Sequence, residues 1–131
     1  MQANAQRGFA FNRLSTEDGI GLASNDVRSL YQDKKGFIWV GTANGLQRFD
    51  GSKFIQFPTT GDPMPHTSVT QIIPEDSSRL FLSMGSIHQF GLFDPVSFKF
   101  SRISLKPSKE ISPRADYFPW KDSEGNIWLN V

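Results

Sequence analysis

Short apolar segments alternate with polar turns along this chain. Residues 37–42, FIWVGT, are rich in aromatic and β-branched side chains, which is typical of a strand. A polar turn at 33–36 precedes this segment, and Asn44-Gly45, a strong hairpin signal, follows it. Comparable segments at 27–32, 46–50 and 54–57 complete the set. The pattern predicts a unit of four short antiparallel strands.

Both faces of the second predicted strand are apolar. Phe37 and Trp39 point to one side, and Ile38 and Val40 point to the other. A two-layer sandwich normally leaves one face of each sheet polar, whereas a sheet between two neighbouring sheets is covered on both sides. The alternation therefore favours the blade of a β-propeller over a sandwich.

The unit recurs along the chain. The segment DKKGFIWV at 33–40 returns as DSEGNIWL at 122–129, with a weaker copy, EDSSRLFL, at 75–82. An interval of about 42–47 residues indicates a repeat architecture. The second copy has two extra residues after Met84, in the turn between its second and third strands, and its Phe98 aligns with Phe54. We predict an all-β fold of four-stranded propeller blades.

The number of units predicts an incomplete propeller fragment. We assign residues 9–14 to the last strand of a preceding blade, 24–57 and 66–103 to two blades, and 115–131 to the start of a further blade. Propellers usually have at least four blades. The outer sheets would therefore expose strand edges and apolar surface. We expect these surfaces to be covered by self-association or by the remaining blades of a longer parent protein.

Composition excludes several classes of function. A net charge of +1 for 131 residues provides no electrostatic signal for nucleic-acid binding. No apolar stretch approaches the ~18 residues of a membrane span, and the absence of cysteine excludes disulfides and zinc–thiolate sites. Ala3-Asn4-Ala5 has the small-x-small form of a signal-peptidase site, which leaves export and an ordinary terminus both open.

The acid that opens the turn in each copy invites a catalytic or metal-binding interpretation. It is Asp33, Glu75 or Asp122. An acid at the start of a tight turn also accepts hydrogen bonds from nearby backbone N–H groups, and this structural role is the one we predict. The aromatic position of the unit, Trp39 in the first copy, is equally predicted to fill the core. Its equivalents are Phe81 and Trp128.

The candidate ligand-binding residues lie in the less repetitive loops. In an up-and-down blade, the turn between strands two and three lies on the same rim as the connection to the next blade. Loops on a rigid scaffold commonly carry binding. We predict a ligand site formed by Asn44, Asp62, His66, His88 and Gln89. The two histidines have no ligand-type spacing, so no metal site, cofactor or catalytic residue is predicted.

The first copy resembles a known repeat. The residues that carry the resemblance are Asp18-Gly19-Ile20, Ser24-Asn25-Asp26-Val27, Gln32-Asp33, residues 36–42, Gly45-Leu46 and Arg48-Phe49-Asp50. They are similar to the two-component regulator propeller repeat, which reads D-G-L, S-N-x-V, Q-D-x-x-G-x-I-W-x-G-T and G-L-x-R-Y-D. Ile20 and Phe49 are mild departures, and Asn130 of the third copy stands where the repeat has glycine.

The resemblance implies a sensor role. Such repeats form the periplasmic sensor region of hybrid two-component systems in Bacteroides-type bacteria, ahead of a membrane helix, a histidine kinase and a DNA-binding output. Their usual inputs are oligosaccharides from glycans. We therefore expect binding of an oligosaccharide and no enzymatic activity in this chain, which would meet the membrane only through other parts of the parent. A propeller-type polysaccharide lyase or glycoside hydrolase, and a purely structural module, remain alternatives.

Overall fold

The described part of the chain consists of strands joined by turns. The structure, a computed structural model, describes residue 8 and residues 10–57, 60–61, 68–75, 78–85, 89–104 and 118–130. The strands are β1 (Val27–Gln32), β2 (Ile38–Thr42), β3 (Gly45–Phe49), β4 (Phe54–Gln56), β5 (Thr60–Gly61), β6 (Val69–Pro74), β7 (Leu80–Met84), β8 (Gln89–Asp94), β9 (Lys99–Ile103), β10 (Phe118–Lys121) and β11 (Ile127–Asn130). No helix in the described ranges could span a membrane.

The strands form three sheets that follow the order of the repeats. The first sheet has the order β1-β2-β3-β4, and the second contains β6-β7-β8-β9, both entirely antiparallel meanders. The third sheet pairs β10 with β11. These strands lie inside the predicted units 24–57, 66–103 and 115–131. The prediction of an all-β chain built from four-stranded antiparallel units is confirmed.

The three sheets stack face against face. Strand β1 lies beside β6, and β6 lies beside β10. Trp39 of the first sheet is fully buried against the second sheet, among Leu80, Leu82 and Phe93. On its opposite face the second sheet packs Phe81 and Phe90 towards the third sheet. Both faces of the second sheet are therefore covered, the arrangement expected of a blade between two neighbouring blades.

Gly41 of β2 allows the first two sheets to approach closely. A Cβ atom at this position would lie 2.7 Å from the carbonyl oxygen of Val69 and would also collide with the side chain of Ser29. Such a Cβ cannot be accommodated without moving the backbone of β6. The glycine that follows the tryptophan in the first unit thus sets the distance between the sheets.

The described structure departs from the sequence-based expectations at three places. Residues 10–14, predicted within a strand at 9–14, form no strand, and Phe11 is 90% exposed. No described strand lies beside this segment to supply backbone hydrogen bonds. Phe98 is a turn residue with φ of 56°, and Phe100 instead pairs with Phe93 as Phe54 pairs with Phe49. The turn before β9 is longer than the alignment assumed.

The third departure is an additional strand. Residues 60–61 form β5, which pairs in parallel with β9 at the outer edge of the second sheet. This segment follows the first sheet in sequence and lies between the predicted units 24–57 and 66–103. The pairing covers the edge of β9 and so attaches the first unit to the second. Two residues of backbone pairing leave almost no signature in a sequence.

Candidate functional site

The acid of each turn holds that turn closed. The Asp33 Oδ1 atom accepts hydrogen bonds from the backbone N–H groups of Lys35 and Phe37, at 2.9 and 3.0 Å. Asp122 repeats this arrangement with Glu124 and Asn126, at 2.9 Å each. These carboxylates act as acceptors within their own turns. The prediction that the acids at Asp33 and Asp122 have a structural role is confirmed.

The same acids also bind the tryptophan of their own unit, which the sequence did not indicate. Trp39 Nε1–H donates to Asp33 Oδ2 at 2.9 Å, and Trp128 Nε1–H donates to Asp122 Oδ2 at 2.6 Å. The acid and the tryptophan are therefore one structural pair, separated by six residues. Each pair connects a surface turn to the indole on the adjoining strand.

The second unit replaces this pair with a different one. The side chain of Phe81 has no N–H group to donate. The acid of this unit is Glu75, whose Oε2 atom lies 2.7 Å from Nε of Arg79 in an ion pair. Ser78 takes a φ of 90° at the turn position where Gly36 and Gly125 have 87° and 90°. The second turn thus has an ion pair and a strained residue where its counterparts have neither.

Hydrogen bonds lower the pKa of several turn acids. The pKa of Asp122 falls from 3.8 to about 2, chiefly because Trp128 and Asn126 donate to the carboxylate. The pKa of Asp50 also falls to about 2, chiefly because the backbone N–H groups of Lys53 and Ser52 donate to it. These acids are ionised near neutral pH and are not poised to exchange protons there.

These turns all lie on one rim of the stacked sheets, which we call the acidic-turn rim. It is defined by the acids that open the β1–β2, β3–β4, β6–β7, β8–β9 and β10–β11 turns, namely Asp33, Asp50, Glu75, Asp94 and Asp122. Asn44 and Gln89, the predicted ligand residues that the structure describes, lie on the opposite rim, which contains the β2–β3 turn. We call it the Asn44 rim.

Only two of the five predicted ligand residues lie within the described structure. Asn44 is exposed in the β2–β3 turn, but its Nδ2 donates to the carbonyl oxygen of Ala23 at 2.8 Å. Gln89 begins β8, and its Oε1 is buried without a hydrogen-bond donor. Asp62, His66 and His88 lie outside the described residues. The predicted ligand site therefore stays a prediction.

The Asn44 rim also carries an arginine, Arg28, that forms an ion pair within its own unit and a hydrogen bond to the second unit. Arg28 lies 2.9 Å from Asp26, and its Nη1 donates to Ser68 Oγ at 3.1 Å across to the second sheet. The hydrogen bond from Arg28 lowers the pKa of Asp26. Part of the polar character of this rim is thus used to hold neighbouring units together.

A cavity of about 670 Å³ opens on the acidic-turn rim, between the first and second sheets. Its lining residues are Tyr31, Asp33, Lys34, Lys35, Phe37, Trp39, Arg48, Pro74, Glu75, Ser78, Arg79, Leu80, Pro95, Val96 and Lys121. Neither Asn44 nor Gln89, the two predicted ligand residues within the described structure, lines it. This cavity could not be predicted from the sequence because its walls come from two different sheets.

Arg48 occupies a notable position in the cavity wall. Its guanidinium carbon lies 4.2 Å from the ring centre of Phe37, 5.2 Å from that of Phe57 and 5.6 Å from that of Trp39. These are cation–π distances. The Arg48 Nε atom is buried and has no acceptor within the described ranges. The sequence marked Arg48 only as part of the repeat pattern, and nothing in it indicated these aromatic surroundings.

The cavity combines aromatic walls with several cationic groups, and its acids are occupied by turn contacts or by Arg79. Among the residues that the structure describes, no group of three or more acids or histidines is placed to hold a metal ion.

Comparison with known proteins identifies the repeat. Residues 21–44 match the family model described as Two component regulator propeller. Histidine kinase P4 of Formosa agariphila is 44% identical over 46 residues, which are 35% of this chain and 3% of that protein. The predicted resemblance to this repeat is confirmed. The chain spans only a small part of the relative that it matches.

Solved structures share the fold. The extracellular domain of a protein assigned as a hybrid two-component system of B. thetaiotaomicron matches with a TM-score of 0.70 and 22% identity, over 90% of this chain and 17% of that one. A catalytically inactive virginiamycin B lyase of Staphylococcus aureus, with quinupristin, matches with a TM-score of 0.56 and 16% identity, over 82% and 36%. The propeller-blade fold is confirmed.

Proposed function

We propose that this chain, which carries a two-component regulator propeller repeat at residues 21–44, is part of the extracytoplasmic sensor region of a hybrid two-component system. The match to that repeat is the observation that carries the proposal. The matched residues run from the lead-in before β1 to the β2–β3 turn. Periplasmic location and a histidine kinase elsewhere in the parent follow as parts of the same proposal.

The proposed activity is recognition of an oligosaccharide released from a glycan. The stacked sheets provide a rigid scaffold, and the two rims carry the loops and side chains that a ligand would meet. Binding by itself does not signal, because a ligand must prefer one conformational state of the sensor over another. The kinase would respond to that shift across the membrane.

The proposal assigns no enzymatic activity to this chain. This is supported by the acids of the acidic-turn rim, which within the described residues hold turns closed or pair with arginine. The likeness to a lyase is a likeness of fold, and folds of this kind serve many functions. The lyase, hydrolase and structural alternatives are therefore outcomes of the test below.

Calorimetry with product analysis tests the proposal. We expect titration of the chain with a panel of glycan-derived oligosaccharides to release or absorb heat for at least one member, without cleavage. The same mixtures, assayed for new reducing or unsaturated ends, would reveal a hydrolase or a lyase and so contradict the sensor proposal. Absence of binding across the panel would instead favour a purely structural module.

A further inference from the structure

We propose that the cavity on the acidic-turn rim binds the anionic group of an acidic sugar, a carboxylate or a sulfate. The choice of a sugar rests on the proposed function, whereas the choice of an anion rests on the cavity itself. The site lies between the first and second sheets and on the opposite rim from Asn44 and Gln89. It is thus separate from the two predicted ligand residues that the structure describes.

The dimensions of the cavity suit a small ligand. Its volume of about 670 Å³ falls within the ~300–1,000 Å³ that is usual for ligand pockets. Turns of two different sheets form its walls, at residues 33–37 and 78–79. A ligand held between them would contact two blades at once, which is a favourable position for a sensor that responds to relative motion of blades.

The electrostatic character of the cavity is cationic. Lys34, Lys35, Arg48, Arg79 and Lys121 line it, against the two carboxylates of Asp33 and Glu75. The whole chain has a net charge of only +1, so positive charge is concentrated at this place. Such concentration attracts anions and raises their local concentration.

The two carboxylates offset only part of that charge. Asp33 accepts three hydrogen bonds, two from the backbone N–H groups of its turn and one from the Trp39 indole. Glu75 is paired with Arg79 at 2.7 Å. Glu75 offsets Arg79 and Asp33 offsets one further cation, so Lys34, Lys35 and Arg48 carry more positive charge than the described acids of the wall balance.

Arg48 is the central residue of the proposed site. The rings of Phe37, Trp39 and Phe57 surround its guanidinium and fix its plane, and no described residue accepts a hydrogen bond from Nε. A guanidinium has five N–H donors and suits carboxylate or sulfate oxygens in a bidentate geometry. An anion in the cavity would supply acceptors for the N–H groups of this guanidinium.

Aromatic side chains complete the recognition surface. Tyr31 and Phe37 line the same cavity and are partly exposed. Aromatic faces pack well against the apolar face of a ligand ring, and the tyrosine hydroxyl adds a polar contact. A ring beside Phe37 that carries an acidic substituent near Arg48 would use both features.

A matched pair of ligands tests the inference. The chain is titrated with a galacturonic acid trisaccharide and with its methyl ester, which differ in charge but keep the same sugar rings; a sulfated galactose trisaccharide distinguishes sulfate from carboxylate. We expect an acidic probe to bind and the ester to bind much more weakly. Binding of the acidic probe should weaken as NaCl rises from about 0.05 M to about 0.5 M, because salt screens the attraction.

Variants locate the site. Arg48→Gln should weaken binding of the acidic probe by about 10–100-fold, the loss expected for hydrogen bonds to a charged group. Lys34→Gln, at an exposed position that should not affect folding, should weaken it by up to about 5-fold. Arg13→Gln removes the same charge from an exposed segment outside the cavity and should leave binding unchanged. Circular dichroism of each variant checks that it is folded.

Each outcome bears on a separate claim. Equal binding of the acid and its ester, unaffected by Arg48→Gln, would overturn the anion site and leave the sensor proposal in place. Inorganic sulfate that binds with the same dependence on Arg48, while no sugar binds, would support the anion site and contradict the oligosaccharide proposal. Failure of every acidic probe and of sulfate to bind at millimolar concentration would overturn the inference.

Discussion

Trp39 and Trp128 occupy the same position of the repeat and bind the equivalent acid, but they differ in burial. Trp39 is fully buried between the first and second sheets, whereas Trp128 is 53% exposed on the third. Both donate to the acid six residues before them. The local bond is therefore independent of burial, and the prediction that this position is core holds for Trp39 and Phe81 but is wrong for Trp128. No described sheet covers the face of β11 that carries Trp128.

The difference in burial predicts that truncation of Trp39 and of Trp128 lowers the free energy of unfolding by unequal amounts. Trp39→Ala should lower the free energy of unfolding by about 3–5 kcal/mol, because it leaves a cavity between two sheets and removes the donor to Asp33. Trp128→Ala should cost only about 1 kcal/mol, since it removes one hydrogen bond and a partly exposed ring. Urea unfolding followed by circular dichroism measures both. Equal costs would contradict the burial difference seen in the structure.

The turn acids predict a dependence of stability on pH. The pKa of Asp122 is about 2 in the folded chain and near 3.8 when unfolded, so its contribution to stability is complete above pH ~4 and is lost as the pH falls towards 2. Asp122→Asn should reduce the slope of unfolding free energy against pH in that window. Ser123→Ala, in the same turn but with the carboxylate retained, should leave the slope unchanged.

At the scale of the element, the backbone of the repeat turn is kept although its sequence changes. The β6–β7 turn keeps the closing bond of its counterparts, from Glu75 N–H to the carbonyl oxygen of Arg79 at 2.8 Å, although its sequence departs from theirs. It does so with Ser78 in the left-handed region, where glycine is preferred. The strand framework thus imposes the turn, and the serine adopts an unfavourable conformation.

Exchange of residues between equivalent turns measures this strain. Ser78→Gly should raise the free energy of unfolding by about 0.5–1 kcal/mol, because relief of left-handed strain exceeds the added flexibility of the unfolded chain. The reciprocal change, Gly36→Ser, should lower it by about 1–2 kcal/mol. Thermal unfolding of the two variants checks the pair. A destabilised Ser78→Gly variant would show that the serine makes a contact that outweighs the strain.

At the scale of the whole molecule, the third sheet presents an uncovered aromatic face. Phe118 is 68% exposed and Trp120 is 52% exposed, and the Trp120 ring stacks on Trp128 at 6.3 Å between ring centres. The equivalent face of the first sheet, which carries Trp39, is covered by the second sheet. The geometry of the repeat indicates that a further sheet of the same kind belongs on this face.

We predict that the isolated chain self-associates through this face, with a second copy in the place of a further blade. Trp120→Gln should reduce the association because it removes apolar surface from the centre of the face. Light scattering over a range of protein concentrations measures the effect. Val96→Gln, which removes an exposed apolar residue from a distant turn, is the control and should leave the association unchanged. A monomer at every concentration would contradict the prediction.

Much of the fold followed from the sequence because its information is local. The alternation about Trp39, the hairpin at Asn44-Gly45 and the spacing of the copies each reflect a physical rule that acts within a few residues. They determined the strands, the meander order and the structural role of Asp33. The two-residue expansion of the β7–β8 turn followed in the same way, since Met84 pairs with Gln89 where Thr42 pairs with Gly45.

Only the tertiary structure decided how the sheets meet. The cavity, the aromatic surroundings of Arg48 and the parallel pairing of β5 with β9 join residues far apart in sequence, and no local rule selects such partners. The bond between Trp39 and Asp33 is local, yet it depends on the rotamers that packing selects. The sequence therefore determined the repeating unit, whereas packing between units decided where a charged ligand could bind.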